Sequence, residues 1–188
     1  ETPWLLRGIQ PPAIRRGDLI VGEFGVNCGS LNSQICISVS VGPLSDKKRE
    51  LAEICRESYD ACLDAIRPGM VFAELGEVMA EPLRRAGAWQ MSPLIHTLNP
   101  TESVTVITEN IMAPRGYPGV RERFAGVELR ELGVDRPDLI LEEGMAFQIE
   151  PNAAFEKTFV NTGGSLMLHA DGTEELNPIC SRVIELDV

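Results

Sequence analysis

Two β-prone apolar runs, DLIVGEFGV (18–26) and SQICISVSV (33–41), flank Asn27-Cys28-Gly29-Ser30, and the pattern predicts a hairpin. After Gly42-Pro43 the period changes. Leu51, Cys55, Cys62 and Ile66, with Ala52 and Tyr59 beside them, recur at helical spacing behind Ser45-Asp46, a suitable N-terminal pair. Arg67-Pro68-Gly69 stops that helix. Phe72, Leu75, Val78, Met79 and Leu83 predict a second amphipathic helix ending at Gly87, and Pro82 inside it is expected to kink or break it. VTVIT (104–108) is strand-like, whereas 110–123 is rich in Gly, Pro and Arg and reads as a long loop. A strand pattern returns in MAFQIEP (145–151), FVNTGG and SLMLH, and after the Asp171-Gly172 turn in SRVIELDV. A hairpin, two helices and then several strands predict an α+β protein, with helices on one face of a mainly antiparallel sheet.

Composition narrows the functional classes. The formal net charge of −11 and the lack of a basic stripe exclude a nucleic-acid surface. No apolar run approaches the roughly 18 residues of a membrane span, and no signal-peptide pattern opens the sequence. The five cysteines are odd in number and show no CxxC spacing. They read as reduced, inert core thiols of a cytoplasmic protein, not as a zinc site or disulfide framework.

The chemistry-bearing residues are few. Glu23 and Gln34 lie eleven positions apart on either side of the Gly29-Ser30 turn. Glu23 shares a strand face with Val21 and Gly25, a setting that suits a cleft, and a Glu–Gln hydrogen bond would satisfy both side chains without a metal. Glu150 falls on the strand face of Ala146 and Gln148. His96, in SPLIHTL, is one of two histidines; the other, His169, reads as a surface residue beside the Asp171-Gly172 turn. Trp4 and Trp89 read as packing residues.

Four segments in order, spanning residues 16–177, resemble the pita-bread hydrolases: methionine aminopeptidase, aminopeptidase P, prolidase and creatinase. These are RRGDLIVGEFG with its following SVSVG, AIRPGM, AGVELRE (125–131) and EEGMAFQIEP with its trailing DGTEELN. The resemblance implies an α+β pita-bread fold, a curved antiparallel sheet with helices on its outer face. It also implies that residues 1–188 are a C-terminal catalytic-type domain, with the first half of the fold incomplete and an N-terminal domain and first helical pair missing.

Metal-dependent members hold two divalent ions with two Asp, one His and two Glu, because such ions polarise a carbonyl and activate a shared water. Transferred here, those positions fall on Glu23, Gln34, His96 and Glu150, and on or near Gly163. The histidine position falls on His96 if 97–124 is an insertion, and on Arg123 without a gap. Gln34 brings no charge and Gly163 no side chain. The expectation is therefore a cleft without a binuclear centre and with no cofactor, a single weakly held divalent ion being the most it would take.

Arg130 is similar to the metal-free creatinase branch. The implied function is hydrolysis of a C–N bond in a small amino-acid derivative or Xaa-Pro-type peptide. His96 and Glu150 would be catalytic, and Glu23, Gln34 and Arg130 would bind substrate. The alternative is an inactive pseudo-peptidase that binds peptides or proteins. A homodimer is implied in either case.

Overall fold

The computed structural model describes residues 13–29, 31–90, 93–98, 105–106, 136, 138–156 and 158–188. Strands β1 (Leu19–Cys28) and β2 (Leu31–Val41) form the expected antiparallel hairpin, in register from Leu19 opposite Ser40 to Cys28 opposite Leu31. Gly29 closes the turn in the left-handed region (φ 63°), where a side chain is disfavoured. β10 (Ile184–Leu186) runs parallel to β2 on its other edge.

A second sheet combines β3 (Ile95–Thr97), β4 (Thr105–Val106), β5 (Ala146–Ile149), β8 (Ser165–His169) and β9 (Gly172–Glu175). Its order is β4-β3-β5-β8-β9 and every pairing is antiparallel. β6 (Asn152–Phe155) and β7 (Thr158–Asn161) make a separate hairpin. The α+β expectation holds. The last apolar run is shorter than its pattern implied: a 3₁₀ turn over Pro178–Ser181 takes in its first residue, and β10 begins only at Ile184.

Helices α1 (Asp46–Ala65) and α2 (Phe72–Ala86) build the core against these sheets. Leu51, Cys55, Tyr59 and Cys62 of α1 meet Phe72, Leu75, Met79 and Leu83 of α2, and both sets face Phe147, Ile149, Val160, Leu166 and Leu168. Phe72 stacks on Phe147 with ring centroids 6.0 Å apart. Pro82 does not break α2. It is itself buried, so the packing of this face compensates for the missing N–H donor. Gly87 then ends the helix in the left-handed region (φ 67°), its N–H bonding to the Arg84 carbonyl while Ala88 N–H reaches Leu83 O at 3.0 Å.

A buried polar contact crosses the helix interface. The Ser58 hydroxyl donates to the Met79 carbonyl at 2.7 Å. Apolar packing carries most of that interface, so Ser58→Ala is expected to lower unfolding free energy by only about 1 kcal/mol in urea titrations. A loss of ~3 kcal/mol or more would show that the hydrogen bond, and not the packing, fixes the helix pair.

Candidate active site

A backbone bridge ties β2 to the loop between β7 and β8, and the chemistry-bearing side chains gather above it. Cys36 of β2 donates its N–H to the Gly163 carbonyl at 2.9 Å, and Gly163 N–H in turn reaches Cys180 O at 2.7 Å. Gly163 sits at φ 137°, and a Cβ there would lie 1.9 Å from the Ile149 carbonyl oxygen and 3.0 Å from Glu150 Cα. A residue without a side chain is what allows the backbone before Glu150 to come this close to β2.

Glu150 follows β5 directly, anchored by its N–H to Leu94 O at 2.8 Å, and is almost fully buried (3 % exposed). Its carboxylate accepts from the Cys36 thiol at 3.2 Å and, more distantly, from Gln34 Nε2 at 3.5 Å. Gln34 Nε2 also donates to Glu23 Oε1 at 2.5 Å, so the Glu–Gln hydrogen bond expected across the hairpin is present. Its geometry is diagonal, since Gly25 pairs with Gln34 and Cys36 stands directly opposite Glu23. Glu23 is exposed, so it forms a rim over a floor made by Glu150; it does not lie in an enclosed wall.

His96 of β3 brings Nε2 to 3.8 Å from Glu150 Oε1. Its Nδ1 lies 2.9 Å from the Thr97 carbonyl, which can only accept, so Nδ1 carries a hydrogen and Nε2 is the ring nitrogen turned towards Glu150. The layer beneath is polar and fixed: Gln148 Nε2 approaches Cys36 Sγ at 3.9 Å, and the Ser165 hydroxyl donates to Gln34 O at 2.9 Å. His169 pairs at the surface with Glu174, as expected of it. Trp89 is buried, in keeping with a packing role. Arg130, Arg123, Trp4 and the 110–123 stretch lie outside the described residues.

Electrostatics at this point are lopsided. Burial, and secondarily the charge of Glu23, push the Glu150 carboxyl up to about 8, against a lowering contribution from the Cys36 thiol hydrogen bond. Burial and then Glu150 raise the Cys36 thiol well above its ordinary range. Among the described residues no Lys or Arg is paired with either carboxylate.

The residue that sequence reasoning missed is Cys36. Its sulfur, a Glu23 oxygen and a Glu150 oxygen all lie within 4.8 Å of one another, a spacing that a metal ion could bridge. This donor set fits one cation. Two carboxylates alone balance one divalent charge, Gln34 adds none, and a side chain at Gly163 would run into the Ile149 carbonyl, so among the described residues no further charged ligand joins the set.

The profile of the metallopeptidase family M24 matches residues 4–171. An Xaa-Pro dipeptidase of Pyrococcus furiosus is 35% identical over 146 residues, which are 77% of this chain and 35% of that protein. An Xaa-Pro dipeptidase of Lactobacillus helveticus is 30% identical over 138 residues, 73% of this chain and 31% of that protein. The chain thus spans about a third of the length of these curated relatives. Among solved structures, an Xaa-Pro dipeptidase from Bacillus anthracis superposes with a TM-score of 0.70 at 21% identity, over 97% of this chain and 45% of that one. An X-Pro aminopeptidase from Thermotoga maritima gives 0.68 at 22% identity, over 92% and 43%. These likenesses establish the pita-bread fold.

The expectation of a cofactor-free cleft is overturned. It rested on Gln34 and Gly163 as lost ligands, but the matching family is one of metallopeptidases, and the described residues include a three-residue donor set with Cys36, a residue the sequence pattern reads as inert. With the family profile covering most of its length, the chain belongs to the metallopeptidase family M24.

Proposed function

We propose that this chain is the catalytic part of a metal-dependent peptidase that cleaves the bond before a proline in a short peptide. The observation that carries this reading is the approach of His96 Nε2 to Glu150, within a cleft where Glu150 and Glu23 share one set of metal-capable donors. Glu23 and Glu150 would hold a divalent cation, which when bound supplies Lewis acidity for a scissile carbonyl and lowers the pKa of water. His96, through Nε2, accepts a proton from the attacking water and returns it to the departing proline nitrogen, so one residue serves as base and then acid. Glu150 stabilises the imidazolium formed between those steps. Gln148 and Ser165 fix the strands beneath and take no part in proton transfer. A homodimer and a cytoplasmic location belong to the same proposal and rest on the family resemblance.

The test is turnover of Xaa-Pro dipeptides by metal-stripped protein, before and after one equivalent of manganese or zinc. Activity should be lost on chelation and return with the ion, and His96→Ala should lower kcat by about a hundredfold or more while leaving the ion bound. Turnover that persists in chelator would sink the proposal. The peptide-binding pseudo-peptidase is supported by the family resemblance, which sets Gly163, without a side chain, on or near the place of the family's last ligand. Dipeptide binding without turnover, in metal-loaded protein, would favour it.

A further inference from the structure

We infer that Cys36 is itself a metal ligand, so that the cleft of this chain is a mixed thiolate–carboxylate site for a single thiophilic divalent cation such as zinc, cobalt or cadmium. This deepens the proposed function and rests on its reading of Glu23 and Glu150.

The hairpin register carries the inference first. Cys36 is the direct cross-strand partner of Glu23, which puts their side chains on one face of the β1–β2 ribbon at adjoining positions. Position also matters in the second sheet, because the Cys36–Gly163 bridge locks β2 over the segment that presents Glu150. Three donors from three separate segments therefore converge: the sulfur, one Glu23 oxygen and one Glu150 oxygen, all within 4.8 Å of one another.

The thiol also differs from the helix cysteines of this chain. Cys55 and Cys62 sit in the apolar helix core, and Cys55 Sγ faces a backbone acceptor, the Val160 carbonyl 3.7 Å away. Cys36 instead has polar side chains around its sulfur: the Glu150 carboxylate at 3.2 Å, the Gln148 amide at 3.9 Å, and Glu23 across the ladder. An inert core thiol needs none of these. Moreover, the family resemblance supplies ligands at the Gln34 and Gly163 positions, and this chain has neither. A sulfur two residues beyond Gln34, on the same strand face, restores a third donor from the hairpin side.

Binding is balanced simply: the S–metal bond forms as the thiol proton leaves to solvent, with no change in oxidation state. Sulfur makes the selectivity specific. Hard-oxygen sites suit manganese and magnesium, whereas one thiolate among the donors shifts preference towards zinc, cobalt and cadmium.

The experiment uses purified protein carrying Cys28→Ser, which removes the exposed thiol. Metal-stripped protein is titrated with cobalt(II) and with cadmium(II) and followed in the near-ultraviolet. A sulfur-to-metal charge-transfer band that saturates at one equivalent is expected, and X-ray absorption of the zinc-loaded form should show one sulfur at about 2.3 Å. Adding Cys36→Ser should remove the band and cut the preference for cadmium over manganese by at least about tenfold, the lower end of what loss of even an indirect partner of a metal costs. An oxygen- and nitrogen-only zinc shell in the Cys36-containing protein overturns the inference, whether or not the Cys36→Ser protein folds. So does a band that survives Cys36→Ser, or a failure to bind any of these ions. The two readings separate cleanly. A charge-transfer band without dipeptide turnover refutes the peptidase alone, and turnover with one bound ion but no zinc–sulfur contact refutes the thiolate ligand alone.

Discussion

Glu150→Gln is expected to change stability in opposite directions with and without a divalent cation. In metal-free protein the folded-state carboxyl is pushed up to about 8 from the ordinary 4.5, by burial first and by Glu23 second. The folded state then binds the Glu150 proton more tightly than the unfolded chain does. That contribution is fully present below about pH 4.5 and is lost as pH rises through about 8, which removes a few kcal/mol of stability across the interval. A glutamine keeps the shape and cannot ionise. The variant should therefore show a flatter profile between pH 5 and 8, and at pH 8 in chelator it should be the more stable protein in urea titrations.

Adding cation reverses the order. A unit charge pair 4 Å apart at an effective dielectric of 20 is worth about 4 kcal/mol, so loss of this carboxylate should weaken cation affinity by roughly a thousandfold. The wild-type midpoint should then rise with added zinc while the variant's stays put. A wild-type profile no steeper than the variant's would show that Glu150 is already neutralised by another group.

The contrast between Cys36 and Glu150 shows which parts of this site are legible in the sequence. In the sequence the Gly29-Ser30 pair between two apolar runs predicts the hairpin, and the observed register sets Cys36 opposite Glu23. The signal is therefore present in the chain. Treating cysteine as a core hydrophobe masks it, although that treatment is correct for Cys55 and Cys62. The alternation through Ala146 and Gln148 places Glu150 on the cleft face, yet its contact with the hairpin depends on the long-range Cys36–Gly163 bridge, which no local period encodes. Pro82 misleads in the other direction. Local propensity argues for a break there, and burial of the helix face outweighs it.

Gly163→Ala is expected to be among the most damaging single substitutions in the chain, costing about 4 kcal/mol or more. Two effects add. At φ 137° any L side chain strains the backbone, typically by about 1–3 kcal/mol. The new Cβ would also stand 1.9 Å from the Ile149 carbonyl oxygen and 2.8 Å from its carbon, and both are backbone atoms of a strand end that cannot swing aside. Relief would require the Ile149 end of β5 to part from the 163–164 segment, straining the Ile149 N–H to Gly164 O hydrogen bond and moving Glu150 away from Glu23. Gly87→Ala supplies the control. Gly87 has a positive φ of 67° and a Cβ there would meet nothing within 4 Å, so only conformational strain of about 1–2 kcal/mol applies. At ~2–4 °C per kcal/mol for a chain of this size, melting temperatures should fall by roughly 10 °C or more for Gly163→Ala and by only a few degrees for Gly87→Ala. Equal losses would mean that φ alone sets the cost and that the close approach relaxes freely. The same clash decides the fate of Gly163→Glu, which puts a carboxylate on or near the place of the family's last ligand. The strand end already occupies that space, so the variant should lose stability and gain no second equivalent of bound metal. A folded Gly163→Glu protein that binds two ions would show that β5 can move back far enough to open a binuclear centre.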